Sequence, residues 1–131
     1  MHNNTNSDSA KIIERKKYLD EMKPLLEKEV KKDAEGKVIV VKFKSNANKH
    51  IYHDAGGRAK ELHRDELKKL DIALDNAIFV KSAPLYKNRK DSITKFYYFK
   101  DSERELYYNV AEICDKGHYE RFLYAVTNII K

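Results

Sequence analysis

The clearest pattern lies in the last third of the chain. Runs of β-branched and aromatic residues occupy positions 93–99, 105–113 and 121–127, with Asp101-Ser102 and Asp115-Lys116-Gly117 in the breaks. Strand formers bounded by such turn residues predict an antiparallel meander. Alternation in the first run sets Lys95, Tyr97 and Phe99 on one face and Thr94, Phe96, Tyr98 and Lys100 on the other. Both faces carry aromatics, so the pattern alone does not choose the buried one.

Upstream, residues 37–44 (Lys-Val-Ile-Val-Val-Lys-Phe-Lys) and 78–81 (Ile-Phe-Val-Lys) read as two further strands. Ile12, Leu19, Met22, Leu26 and Val30 recur near helical spacing, which predicts an amphipathic helix over 9–32, kinked or divided at Pro24. Leu67, Leu70, Leu74 and Ala77 predict a second helix over 58–76, with His63 on the same apolar face. Residues 45–57 read as a polar loop ending in Gly56-Gly57, and residues 82–91 as a second loop. The expected fold class is α+β: an N-terminal helix or helix pair and a central helix packed on a four- to five-stranded antiparallel sheet. The expected division is a helical arm over 1–35 and an α+β domain over 36–131.

A chain of 131 residues suits a single modest core. It contains no run of 18 apolar residues, and the polar stretch 2–9 lacks the apolar centre of a secretory signal. Cys114 stands alone, so no disulfide framework is expected, and a cytoplasmic setting fits. The formal net charge is +6. Its excess sits in two blocks: residues 36–64 hold seven basic and two acidic side chains, and residues 81–100 hold six basic and one acidic. Brought together by the fold, these blocks would make a basic hollow suited to a phosphate backbone.

The chain has no Gly-x-Ser-x-Gly elbow and no phosphate-cradling glycine loop. His50, His53, His63, Cys114 and His118 lack the paired spacing of a structural zinc site, so neither metal nor cofactor is expected. Metal-free RNA cleavage fits better. It needs a base for the ribose 2′-proton, an acid for the departing 5′-oxygen and cations on the phosphorane. Histidine can serve as base or acid. His50 and His53 are flanked by Lys49 and Arg58, while Lys95, Tyr97 and Tyr107 on the sheet could donate to phosphate or stack on bases. Asn109 is unusual inside a strand unless its amide finds a partner.

The order Asn-Ala-Ile-Phe-Val-Lys-Ser-Ala-Pro (76–84), Lys-Asn (87–88), Lys-Asp (90–91), Phe-Tyr-Tyr-Phe (96–99), Leu-Tyr-Tyr-Asn-Val-Ala-Glu (106–112) and Phe-Leu-Tyr-Ala-Val-Thr (122–127) is similar to small domains in phage and prophage polyvalent proteins. Those domains are grouped with the barnase/EndoU/colicin/RelE-like ribonuclease superfamily. The similarity runs over residues 48–130 and rests on pattern and order. It implies a helix followed by a four-stranded antiparallel sheet, and metal-independent RNA cleavage by a toxin or phage effector in a bacterial host cell. RNA is then the substrate, and an immunity or antitoxin protein the implied partner. By position, the resemblance makes His50 the leading acid/base, lines the cleft with Tyr97, Asn109 and Thr127, and brings Arg89 or Lys90 to phosphate. The sequence-level site set is therefore His50, His53, Tyr97, Asn109 and Thr127 for catalysis. Lys49, Arg58, Lys87, Arg89, Lys90 and Lys95 are the expected nucleic-acid contacts. The competing reading is a non-catalytic phage or mobile-element module that binds nucleic acid or a partner protein, with residues 9–32 as a docking arm.

Overall fold

The computed structural model describes residues 4–85 and 92–130, with side chains from residue 9 onward. Its elements are helix α1 (Asn4–Met22), a 3-10 turn (Lys23–Glu27), strands β1 (Glu29–Ala34) and β2 (Lys37–Lys42), and helix α2 (Ser45–Asp54). A 3-10 segment (Arg64–Lys69), helix α3 (Leu70–Asn76) and strands β3 (Ile78–Pro84), β4 (Ile93–Lys100), β5 (Tyr107–Asp115) and β6 (His118–Thr127) follow. The α+β class is as expected. The sheet, however, has six strands, is mixed, and curls strongly into a half-barrel with the order β1-β2-β6-β5-β4-β3. Among the described strands only β2 and β6 pair in parallel, through Val41↔Arg121 and Lys42↔Phe122.

Three local readings need correction. The expected helix over 9–32 ends at Met22, where Pro24 leads into a 3-10 turn, and residues 29–34 form an edge strand instead. A tight turn with Glu35 at φ 54 and Gly36 at φ 76 folds β1 back on β2 along its whole length. Val30, Lys32 and Ala34 point inward. A lysine at an inward position is what hid the period of two. Its ammonium reaches the carbonyls of Asp75 (2.8 Å) and Ala77 (2.6 Å), so the buried charge is hydrogen-bonded at the end of α3.

The second correction is that residues 45–54 are helical rather than a loop. Asn48 and Asp54 share the buried side of α2 with Ala47, Ile51 and Tyr52, and those two polar residues obscure its amphipathic stripe. The third is that no single helix spans 58–76. Residues 55–63 form turns around buried Ala59 and Leu62, and His63 begins the 3-10 segment, its backbone N–H donating to Glu66 at 2.8 Å.

The two sheet faces have different covers. Met22 and Leu25, then Ile51 and Tyr52 of α2, then Leu67, Leu70 and Leu74, pack with Val41, Tyr97, Phe99, Tyr108, Val110, Leu123 and Val126 in the main core. The other face carries a smaller cluster of Ile93, Phe96, Tyr98 and Ala111, joined by Leu85, Phe122, Tyr124 and Ile130. The β1–β2 turn is tied across the curl by Lys95, which pairs with Glu35, and by Ser82, whose hydroxyl donates to Glu35 at 2.8 Å. Among the described residues no helix is long and apolar enough to cross a membrane.

Candidate functional site

The geometry of the site follows from how β6 is flanked. Strand β2 accompanies β6 only as far as Phe122. Beyond that point the exposed edge amides of β6 are met by α2 and the turn after it. The Asp54 carboxylate accepts the Val126 N–H at 3.3 Å, and the Arg58 carbonyl accepts the Asn128 N–H at 3.0 Å. The last turn of α2 is thereby held along the end of β6. Here the chain trades a strand neighbour for a helix neighbour, satisfying donors that would otherwise be left unpaired.

This docking places His50 over the second sheet face, its ring 6.1 Å from that of Tyr124. A cavity of about 380 Å³ opens there, lined by His50, Arg58, Leu85, Phe96, Tyr98, Asn109, Tyr124, Ala125 and Thr127. Irregularity in the β5–β6 register between Asn109 and Val110 sets Asn109 opposite Ala125 and helps both reach the cavity. Residues from α2, the following turn, β4, β5 and β6 thus converge on one hollow.

Of the residues expected from sequence, His50, Arg58, Asn109 and Thr127 are brought together. Tyr97 is not. It is fully buried on the helix-covered face, and its hydroxyl donates to Glu112 at 3.0 Å. Its neighbour Tyr98 occupies the cavity wall instead: the two tyrosines fall on opposite faces as the alternation predicts, and the cavity lies on the Tyr98 side. Lys95 shares the face of Tyr97, its ammonium 4.9 Å from that ring's centre, and is engaged with Glu35. Lys49 lines a separate hollow with Leu19, Lys23 and Leu26. His53, three residues along α2, turns to α1 and contacts the Tyr52 ring edge at 5.3 Å. Lys87, Arg89 and Lys90 lie outside the described residues.

Three groups were not among the expected site residues: Tyr98 and Tyr124 in the cavity wall, and Asp54 behind His50. His50 Nε2 lies 3.7 Å from Asp54 Oδ1. The two are four residues apart on one helix, a signal that becomes visible only once residues 45–54 are read as helical. Asp54 is buried, and burial raises its pKa, opposed by the charges of His50, Arg58 and His53 and by the Val126 N–H. The pair gives the imidazole a fixed neighbour at Nε2 and leaves Nδ1 with no protein partner among the described residues. Burial also raises the pKa of the Tyr98 phenol, which therefore stays a neutral donor. The Thr127 hydroxyl donates to the Ile129 carbonyl at 2.7 Å and lies 3.5 Å from Asn109 Oδ1. The single Thr127 hydroxyl proton thus ties down the chain end, and the amide nitrogen of Asn109 has no hydrogen-bond partner among the described residues.

Chemically the hollow offers one imidazole backed by a carboxylate, one guanidinium, two phenols and one amide, set against an aromatic wall. Among the described residues no group of three His, Cys, Asp or Glu side chains is placed to hold a metal ion. Comparisons of the chain with protein-family models, with curated proteins and with solved structures return no match.

Proposed function

We propose that the protein is a metal-independent ribonuclease of the toxin or phage-effector kind, cleaving RNA by acid–base transesterification in the cavity beside β6. The observation that carries this reading is the convergence of His50 and Arg58, from α2 and the turn after it, with Asn109 of the distant strand β5 on one aromatic-walled hollow. On this reading the segment from α2 through β6 is the part that resembles the barnase/EndoU/colicin/RelE-like domains, and the β1–β2 hairpin is an addition to it.

In the proposed reaction His50 removes the ribose 2′-proton. The 2′-oxygen then attacks phosphorus as the bond to the 5′-oxygen breaks, giving a 2′,3′-cyclic phosphate and a free 5′-hydroxyl. Tyr124, beside the imidazole, supplies the proton that the departing 5′-oxygen takes up. Arg58, Tyr98 and the Asn109 amide donate to the phosphorane oxygens. Asp54 is a positioning residue that steadies the imidazole and the imidazolium it becomes. Phe96 and Tyr98 offer ring surface to an unpaired base.

The test is direct. Purified protein incubated with single-stranded RNA in excess EDTA should yield fragments ending in 2′,3′-cyclic phosphate. Salt-dependent binding with no fragments would instead favour the non-catalytic module.

A further inference from the structure

The turn after α2 separates the cavity just described from a second concave region. Arg58 lines the first; Ala55, Gly56 and Gly57 line the second. This second hollow, about 520 Å³, is completed by His53, Lys60, Leu62, His63 and Arg64. His53 and Arg64 also line a neighbouring hollow of about 400 Å³ against α1, where Lys11, Ile12, Glu14, Arg15 and Tyr52 form the remaining wall. Together they make one groove running from the edge of the candidate active site to the exposed side of α1.

The groove's charge is cationic and largely uncommitted. Lys11, Arg15 and Lys60 are exposed and form no ion pair among the described residues. The only acidic side chain in the lining, Glu14, is engaged with Arg64 at 3.0 Å. Asp65, close by in sequence, accepts the Tyr18 hydroxyl at 3.1 Å. The Arg64 guanidinium carbon lies over the Tyr52 ring, 4.2 Å from its centre. Its buried Nε has no hydrogen-bond partner, an unusual condition for a guanidinium donor. Three exposed cations without ion-pair partners among the described residues, spread along one concave surface, suit successive phosphates of a flexible strand.

We infer that this groove binds the sugar–phosphate backbone of single-stranded RNA running on from the cleavage cavity, independently of base sequence. The inference rests on the ribonuclease reading for the identity of the strand. It gives His53 a place beside phosphate rather than at the reacting atoms. It also recruits Lys11, Arg15, Lys60 and Arg64, none of which the sequence pattern singled out.

The experiment measures binding of uncleavable 2′-O-methyl oligouridylates, a dinucleotide and one of about twelve nucleotides, at several salt concentrations. It compares the intact chain with a Lys11→Ala/Arg15→Ala/Lys60→Ala variant, whose exposed positions leave the core untouched. The longer oligonucleotide should bind the variant about 10- to 100-fold more weakly, and the slope of log K against log salt should fall by about 2, as expected for three lost phosphate contacts to a single strand. Dinucleotide binding should be unchanged, and the variant with arginine at all three positions should behave as the intact chain does. An unaltered affinity and salt slope for the longer strand, or an equal loss for the dinucleotide, overturns the inference. Length-dependent binding by a protein that cuts no RNA would uphold the groove and reject the ribonuclease reading, so the two fail separately.

Discussion

His50→Ala is expected to lower kcat/KM for RNA cleavage by about 10²- to 10⁴-fold, the usual contribution of a positioned acid–base group, equivalent to roughly 3–5 kcal/mol of barrier. The side chain is nearly half exposed, at 46%, and its only ion-pair partner among the described residues is Asp54. The substitution should therefore remove the reacting group without opening the core, and thermal unfolding should shift little. Tyr97→Phe supplies the contrast. The Tyr97 hydroxyl faces Glu112 inside the helix-covered face, so its loss should weaken folding by about 1 kcal/mol and leave the cleavage rate alone. Rate loss at Tyr97 with none at His50 would reverse the assignment of faces and end the proposed mechanism.

Asp101→Ala is expected to destabilise the fold by about 3 kcal/mol, because it strips the shared acceptor from a buried polar cluster. Asp101 Oδ1 accepts the backbone N–H groups of Glu103 and Arg104, each at 3.0 Å, fixing the turn between β4 and β5. Its Oδ2 accepts the fully buried Tyr108 hydroxyl at 2.6 Å and Arg104 at 3.2 Å. Arg104 in turn reaches Glu66 at 2.7 Å, joining the meander to the 3-10 segment. Burial alone would raise the Asp101 pKa, but these donors overcome it and hold it at about 2, against an ordinary 3.8. A depressed acid stabilises the fold above its unfolded pKa and loses that contribution as pH falls through the folded value. The intact protein should therefore lose about 2 kcal/mol between roughly pH 4 and pH 2 from this group. Urea unfolding across that range should show this acid limb in the intact chain and a flatter profile in the variant. An identical acid limb in both would show that the cluster does not anchor the turn.

What the sequence disclosed, and where it misled, follows from which side chains carry each pattern. The strands β4, β5 and β6 were legible because Tyr, Phe, Val and Ile alternate there between clear turn residues. Strand β1 was not, because Lys32 sits at an inward position and only the carbonyls of Asp75 and Ala77, far along the chain, make that tolerable. Helix α2 was hidden for a related reason: Asp54 spends its polarity on the edge of β6, a partner no local window contains. The parallel step between β2 and β6 likewise depends on a long-range return that periodicity does not encode.

The same limits shaped the reading of the site. Asn109 stands out as an amide inside a strand, and His50 and Arg58 as an acid/base and a cation close together in the chain; the three share one cavity. The resemblance selects Tyr97 where the cavity wall holds Tyr98, because adjacent aromatics on opposite faces give the same pattern whichever side is buried. Lys95 looked like a phosphate ligand because it is a cation on a strand. Its pairing with Glu35, sixty residues away, could only come from the curl of the sheet.

In the proposed mechanism the hollow beside β6, and not the helix-covered face, receives the scissile dinucleotide. A titration of ¹⁵N-labelled protein with an uncleavable 2′-deoxy dinucleotide, followed by backbone and side-chain NMR shifts, tests it most directly. The account predicts saturable shifts centred on His50, Arg58, the Asn109 amide and Thr127, with Tyr97 and Glu112 unmoved. Saturable shifts centred on Tyr97, Lys95 and Glu112, or on no residue lining the cavity, would contradict it.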